Sequence, residues 1–278
     1  MKKRNKKAQT TVFIIIAVVV LAIIAGILYF KNIPGQTNLD EEFFSSNELK
    51  PQVDRLQTAI LDCTEQTSEE ALTNIGLQGG YFNPPSESLK IGEIKIPYYY
   101  NQGSINRPSK SEIETELNNY IESNLESCFE NINKNDLEIE YKNLAIESEI
   151  NNDNIIFNYN TQIKITKDNK HIVFELEDHP KNIPSALSDI LDIAYFITDT
   201  HEVDPEMYCI SCVGDMAEEK DVYVSIVELA QDQMLVVISE NRTSTQPYSF
   251  EFLNKYTGEE ASPETPQNQA PQAPGSPQ

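Results

Sequence analysis

The chain has 278 residues, with 21 Lys and Arg against 44 Asp and Glu and a formal net charge of −23. So acidic a balance repels nucleic acid and anionic surfaces, and favours solubility, cations or a basic partner. Four cysteines, three histidines and no GxSxG, P-loop, dinucleotide-binding glycine or HExxH pattern predict a non-enzymatic protein with no cofactor and no metal site.

Residues 1–10 are a basic leader containing Lys2, Lys3, Arg4, Lys6 and Lys7, and Val12 to Phe30 is apolar without a charge. As a helix that run is about 29 Å long, close to the hydrocarbon thickness of a bilayer. Residues 11–31 are therefore predicted to span a membrane, with membrane lipid as a partner. The basic flank keeps the amino terminus cytoplasmic and the rest of this single-pass chain extracellular. A cleaved secretory signal would have a shorter apolar region and a small-x-small site; here Tyr29, Phe30 and Lys31 close the run.

The segment Lys6-Lys7-Ala8-Gln9-Thr10-Thr11 resembles the class III signal peptide of archaeal type IV pilins and archaellins. The resemblance implies cleavage between Ala8 and Gln9, ahead of the apolar helix, and a role in surface assembly. Phe13 stands at position five of such a mature chain, where bacterial pilins carry glutamate. An uncleaved signal anchor is the other reading.

Pro34 and Gly35 end the apolar helix, and 32–46 reads as a linker to an extracellular α+β domain over 47–257. Removing the five basic residues of the leader leaves 16 Lys and Arg against 44 acids outside, a net −28. Helices are predicted over 48–75 and 109–133, the second opened by Ser109 and Glu112 at capping-box spacing. Val53, Leu56, Ile60 and Cys63 recur at helical spacing, as do Ile113, Leu117, Ile121, Leu125 and Cys128. A Cys63–Cys128 disulfide between two packed amphipathic helices follows. Between them lies an irregular stretch with Tyr81, Phe82, Tyr98, Tyr99 and Tyr100 in Gly/Pro-rich surroundings. Such loop aromatics supply rigid contact area for a partner; alternatively they cover the helices' apolar face.

From Asp136 the period shifts towards two. Strands are predicted over 137–150, 155–167 and 171–177, an antiparallel meander with Asn- and Asp-rich turns. A helical stripe over 183–197 follows, then strands over 222–229, 234–238 and 248–253. The domain divides at most into lobes 47–135 and 136–257. Cys209-Ile210-Ser211-Cys212 is read as a local structural disulfide, because Val213-Gly214-Asp215 look like a turn and bring a negative charge that opposes a thiolate; redox and zinc roles are the alternatives. Asp178-His179 and His201-Glu202-x-Asp204 are read as turn and cap residues. Asn241 begins the one N-x-T sequon, in a polar turn. The tail 258–278 is Pro/Gln-rich and reads as disordered.

The expected function is a non-enzymatic, membrane-anchored surface protein for attachment or surface assembly, with self-association or other surface proteins as partners. The alternative is a membrane-tethered thiol oxidoreductase or folding factor using Cys209 and Cys212. An acid-rich enzyme acting on glycans is a third reading, since paired carboxylates have no linear signature.

Overall fold

A computed structural model describes residues 43–44, 49–142, 144–204, 209–230, 232–241 and 247–257. Four helices occur among them: α1 (Lys50–Leu77), α2 (Lys110–Asn131), α3 (Leu187–Val203) and α4 (Ile210–Glu219). The strands are β1 (Ser88–Ile91), β2 (Ile94–Asn101), β3 (Ser104–Ile105), β4 (Glu138–Tyr141), β5 (Ile146–Ile150), β6 (Asn154–Tyr159), β7 (Gln162–Lys167), β8 (Lys170–Glu175), β9 (Lys181–Pro184), β10 (Val222–Ala230), β11 (Gln233–Glu240) and β12 (Ser249–Lys255).

The fold is mixed helix and sheet with two disulfides, and the expected class needs correction. No helix among the described residues is long and apolar enough to cross a membrane. Even α1, at 28 residues, interrupts its apolar positions with Asp54, Arg55, Asp62, Glu65, Glu69 and Glu70. The leader, the expected span 11–31 and the tail 258–278 lie outside the described residues, and of the linker 32–46 only Phe43 and Phe44 lie inside them. Nor is the sheet wholly antiparallel, because β12 pairs with β2 in parallel.

Contacts divide the chain into two compact units, Met1–Ala59 with Ile132–Lys142 and Gln162–Glu175, and Ile60–Asn131 with Asn143–Thr161 and Leu176–Gln278. The expected lobes 47–135 and 136–257 are thus replaced by units that interleave along the chain. The cause is visible in the expected meander. Its first two strands are each divided, the first into β4 ending at Tyr141 and β5 beginning at Ile146 and the second at Asn160-Thr161, so β4 pairs with β7 while β5 pairs with β6. Each half then takes a different third strand, giving sheets β4-β7-β8 and β5-β6-β9.

The first unit is built on β4-β7-β8, with Ile163 and Ile165 fully buried. The β7–β8 hairpin turns through Asp168 and Asn169, at φ 50° and 63°. Paired positive φ values define the tight turn that Asp and Asn tolerate best, which is why this turn was legible as sequence. Lys164–Glu140 (2.9 Å) and Lys167–Asp136 (3.7 Å) are ion pairs within this unit.

In the second unit the sheet order is β1-β2-β12-β11-β10, with β3 paired to β2, and β5-β6-β9 forms a separate sheet. Strands β1–β3 occupy the stretch read as irregular, where Pro97 and three successive tyrosines mask the alternation. Helix α2 opens on a reciprocal capping box: Ser109 N donates to Glu112 Oε2 (2.7 Å) and Glu112 N to Ser109 Oγ (3.3 Å). Ser109 Oγ also donates to Glu112 Oε2 (2.7 Å), and the bonds from the Ser109 amide and hydroxyl hold the Glu112 carboxyl below the usual carboxylate range. Ile113, Leu117, Ile121, Leu125 and Phe129 bury one stripe of α2, and Cys63 of α1 joins Cys128 across a Cα separation of 5.9 Å. Tyr159 Oη on β6 donates to the Thr64 carbonyl of α1 (3.0 Å) and lies 2.5 Å from Ser68 Oγ. Near the end of α1, a Cβ on Gly76 would come 2.4 Å from Ser249 O, so only glycine allows α1 this close to β12.

A second row of α2 side chains closes the free edge of β5. Glu114 Oε1 accepts from Ile150 N (2.9 Å), Asn118 Oδ1 from Ser148 N (2.9 Å) and Glu122 Oε1 from Ile146 N (3.5 Å). Residues four apart on a helix rise about 6.0 Å, and alternate amides on a strand edge lie about 6.8 Å apart. The two spacings match closely enough for three successive acceptors to meet three successive donors.

Candidate functional site: Cys209, Cys212 and the α4 cleft

The region most capable of chemistry lies at α4, where the sequence pattern predicts a turn after Cys212. Helix α4 instead starts at Ile210, with Cys209 as its N-cap in an extended conformation (φ −75°, ψ 92°). Cys212 N donates to Cys209 Sγ at 3.2 Å, the capping bond usually made to an oxygen. Cys209 also lies 3.5 Å from Ser211 Oγ, and it is joined to Cys212, both half-buried. The correction matters because the unpaired amides and positive dipole end of a helix stabilise a negative sulfur. The helix survives Gly214 because Ile210, Val213 and Ala217 share one face and Lys220 anchors its end. Lys220 Nζ reaches Asp189 Oδ1 (2.6 Å) and Asp192 Oδ2 (2.8 Å) on α3, and the two hydrogen-bonded carboxylates raise its pKa.

The α4 face does not close fully on the sheet. Val213 is its one buried residue, and a cleft of about 520 Å³ runs between α4 and the β10–β11 hairpin. Ile210, Val213 and Ala217 line one wall, Val224 and Ile226 the other, with Glu228 as the charged lining residue. Ile210 is 72% exposed beside the disulfide. Strand β10 ends the sheet, pairing only with β11 in the described sheet order. Tyr223, Val227 and Leu229 on it are 62%, 45% and 41% exposed. The helical spacing of Ile210, Val213 and Ala217 was the available signal for this site, and the glycine hid it.

The expected aromatic contact surface is not assembled. Tyr99 and Tyr100 are buried: Tyr99 stacks on Phe252 at 4.4 Å and donates to Gly79 O (2.8 Å), and Tyr100 packs 4.5 Å from the His201 ring. Tyr81, Phe82 and Tyr98 are half-buried. Tyr81 Oη donates to Asn106 O, and the Phe82 ring meets Tyr120 edge-on. These rings belong to the packing of β2 and the α1 end: Tyr99 and Tyr100 point to opposite faces of the strand, and both faces are covered.

His201 is buried, with Nε2 3.3 Å from both Asn254 Nδ2 and Tyr256 Oη. Asp178 closes a single 3-10 turn with Leu176 and Glu177, and Asp204 caps the end of α3. Asn241 is exposed, its side-chain amide donating to Asp221 Oδ1 at 2.7 Å; Arg242 and Thr243 lie outside the described residues. Ala8 and Gln9 lie outside them as well. Among the described residues no group of three or more His, Cys, Asp or Glu side chains gathers as a metal site.

Comparison with protein-family models, with curated proteins and with solved structures finds no match to this chain.

Proposed function

We propose that this is an exported surface protein that works by attachment and assembly, and that its copies associate through the edge of β10. The observation that carries the reading is the apolar, exposed edge strand. Proteins that stay monomeric blunt such edges with lysine, proline, bulges or a covering segment. Over Val222–Ala230 the only charged side chain is Glu228 and the one break in register lies at the strand's end, between Glu228 and Ala230, which leaves Val222–Glu228 regular, in a chain of net charge −23. Repulsion elsewhere on the surface disfavours random contact, which leaves this strand as the favourable place for two copies to meet. Pairing would run antiparallel about a twofold axis, main chain giving affinity and Tyr223 and Val227 giving fit. Export is supported by the two disulfides and by the absence of a free cysteine among the described residues, a pattern of oxidising compartments. The leader resemblance at Ala8-Gln9 points the same way.

The test is light scattering of the full native chain over a concentration series, beside Val227→Lys. The expected result is concentration-dependent dimers or larger assemblies for the wild type, and monomers for Val227→Lys with an unchanged circular dichroism spectrum. A wild-type chain that remains monomeric throughout overturns the reading.

A further inference from the structure

We propose that the Cys209–Cys212 disulfide is a thiol–disulfide exchange site that oxidises exposed cysteine pairs in apolar peptide segments. The inference is independent of self-association. Three observations carry it. Cys209 caps a ten-residue helix and its Sγ takes a backbone N–H from Cys212. Both cysteines of this bridge are half-buried, whereas in the other disulfide Cys128 is half-buried and Cys63 only 6% exposed. An apolar cleft of about 520 Å³ begins at Ile210, one residue from the reacting sulfur.

A thiolate of a reduced peptide attacks Cys209 Sγ. The Cys209–Cys212 bond breaks, its electron pair goes to Cys212 Sγ, and that sulfur takes up a proton. The second peptide thiolate then attacks the peptide sulfur of the mixed disulfide and expels Cys209. The leaving thiolate is received by the Cys212 N–H and the amino end of α4, and a good leaving group speeds this step. In sum, a peptide dithiol becomes a disulfide and Cys209 and Cys212 become two thiols, with two electrons and two protons transferred. One equivalent is oxidised per chain.

The cleft defines the substrate. Val213, Ala217, Val224 and Ile226 offer no hydrogen bonds, so they favour a branched aliphatic or aromatic side chain next to the attacking cysteine. Glu228 disfavours an acidic one.

The experiment uses the oxidised full chain and a synthetic reduced peptide with two cysteines flanked by leucines. Alkylation and mass spectrometry follow both species. The expected result is one equivalent of cyclised peptide, with reduced thiols appearing at Cys209 and Cys212 while Cys63–Cys128 persists. Cys212→Ser, mixed with the homodimeric disulfide of a single-cysteine leucine-flanked peptide, is expected to hold a covalent adduct on Cys209, because neither Cys212 nor a second peptide thiol is left to resolve it. Ala217→Glu is expected to slow peptide oxidation about tenfold, the scale of one apolar contact, while leaving reaction with dithiothreitol unchanged. Persistence of Cys209–Cys212 in excess reduced peptide overturns the proposal even if Cys212→Ser fails to fold. Equal slowing of peptide and dithiothreitol overturns the assignment of the cleft.

Discussion

Replacing Asn118 by Ala tests whether α2 closes the edge of β5 or merely lies beside it. Asn118 Oδ1 accepts from Ser148 N at 2.9 Å, and Ser148 lies between Ile146 and Ile150, which are 5% and 1% exposed. Ser148 is half-buried, so removing the acceptor leaves a partly shielded amide unpaired, at a cost in the lower part of the usual range, about 1–2 kcal/mol. Alanine also has the higher helix propensity and returns up to about 0.7 kcal/mol. The two effects oppose each other, and the unpaired amide wins by about 0.3–1.3 kcal/mol. Asn119 on the same helix is exposed, so Asn119→Ala collects only the propensity gain and is expected to stabilise. Urea unfolding followed by circular dichroism compares the pair, and amide hydrogen exchange reports on Ser148 and Ile150 directly. Asn118→Ala should unfold at lower urea than wild type and Asn119→Ala at the same or higher, with faster exchange at Ser148 only in the former. If both variants shift equally, the side-chain ladder contributes nothing and the reasoning is refuted.

The Cys63–Cys128 bridge closes a separation of 65 residues, for which loop entropy gives about 4.3 kcal/mol. Cys63→Ala with Cys128→Ala should lose most of this in chemical denaturation, whereas the separation of 3 at Cys209–Cys212 corresponds to under about 2 kcal/mol; equal losses would refute the ranking. Alkaline stability should fall for a different reason. Burial pushes the Tyr159 hydroxyl up to about 12 from its ordinary 10.0, the Ser68 hydrogen bond offsetting part of the shift, and burial also raises Tyr99 and Tyr248. The folded state thus holds protons that the unfolded chain releases. The contribution of Tyr159 is complete below pH 10 and is lost towards pH 12, at about 1.4 kcal/mol per pH unit. Ionisation of the buried tyrosines, read as the tyrosinate absorbance lost in Tyr159→Phe, should coincide with loss of circular dichroism, and Tyr159→Phe should flatten the slope; ionisation of Tyr159 near pH 10 in a folded chain would refute it.

Helical periodicity located α1, α2 and most of α3, because one apolar stripe per helix is a local property that the chain writes out residue by residue. Pairing Cys63 with Cys128 needed only the two stripes that carry them, and the Ser109–Glu112 cap and the Asp168-Asn169 turn needed only neighbours in sequence. Tertiary structure decided what depends on distant partners. The interruptions that send β4 and β5 to different sheets are set by which third strand each half can bury against. Tyr99 and Tyr100 became core because Phe252 and His201, more than a hundred residues away in sequence, close over them. Helix α4 forms in spite of Gly214 because an apolar hairpin and the carboxylates of Asp189 and Asp192 hold it, and a sequence window ending at Gly214 contains neither.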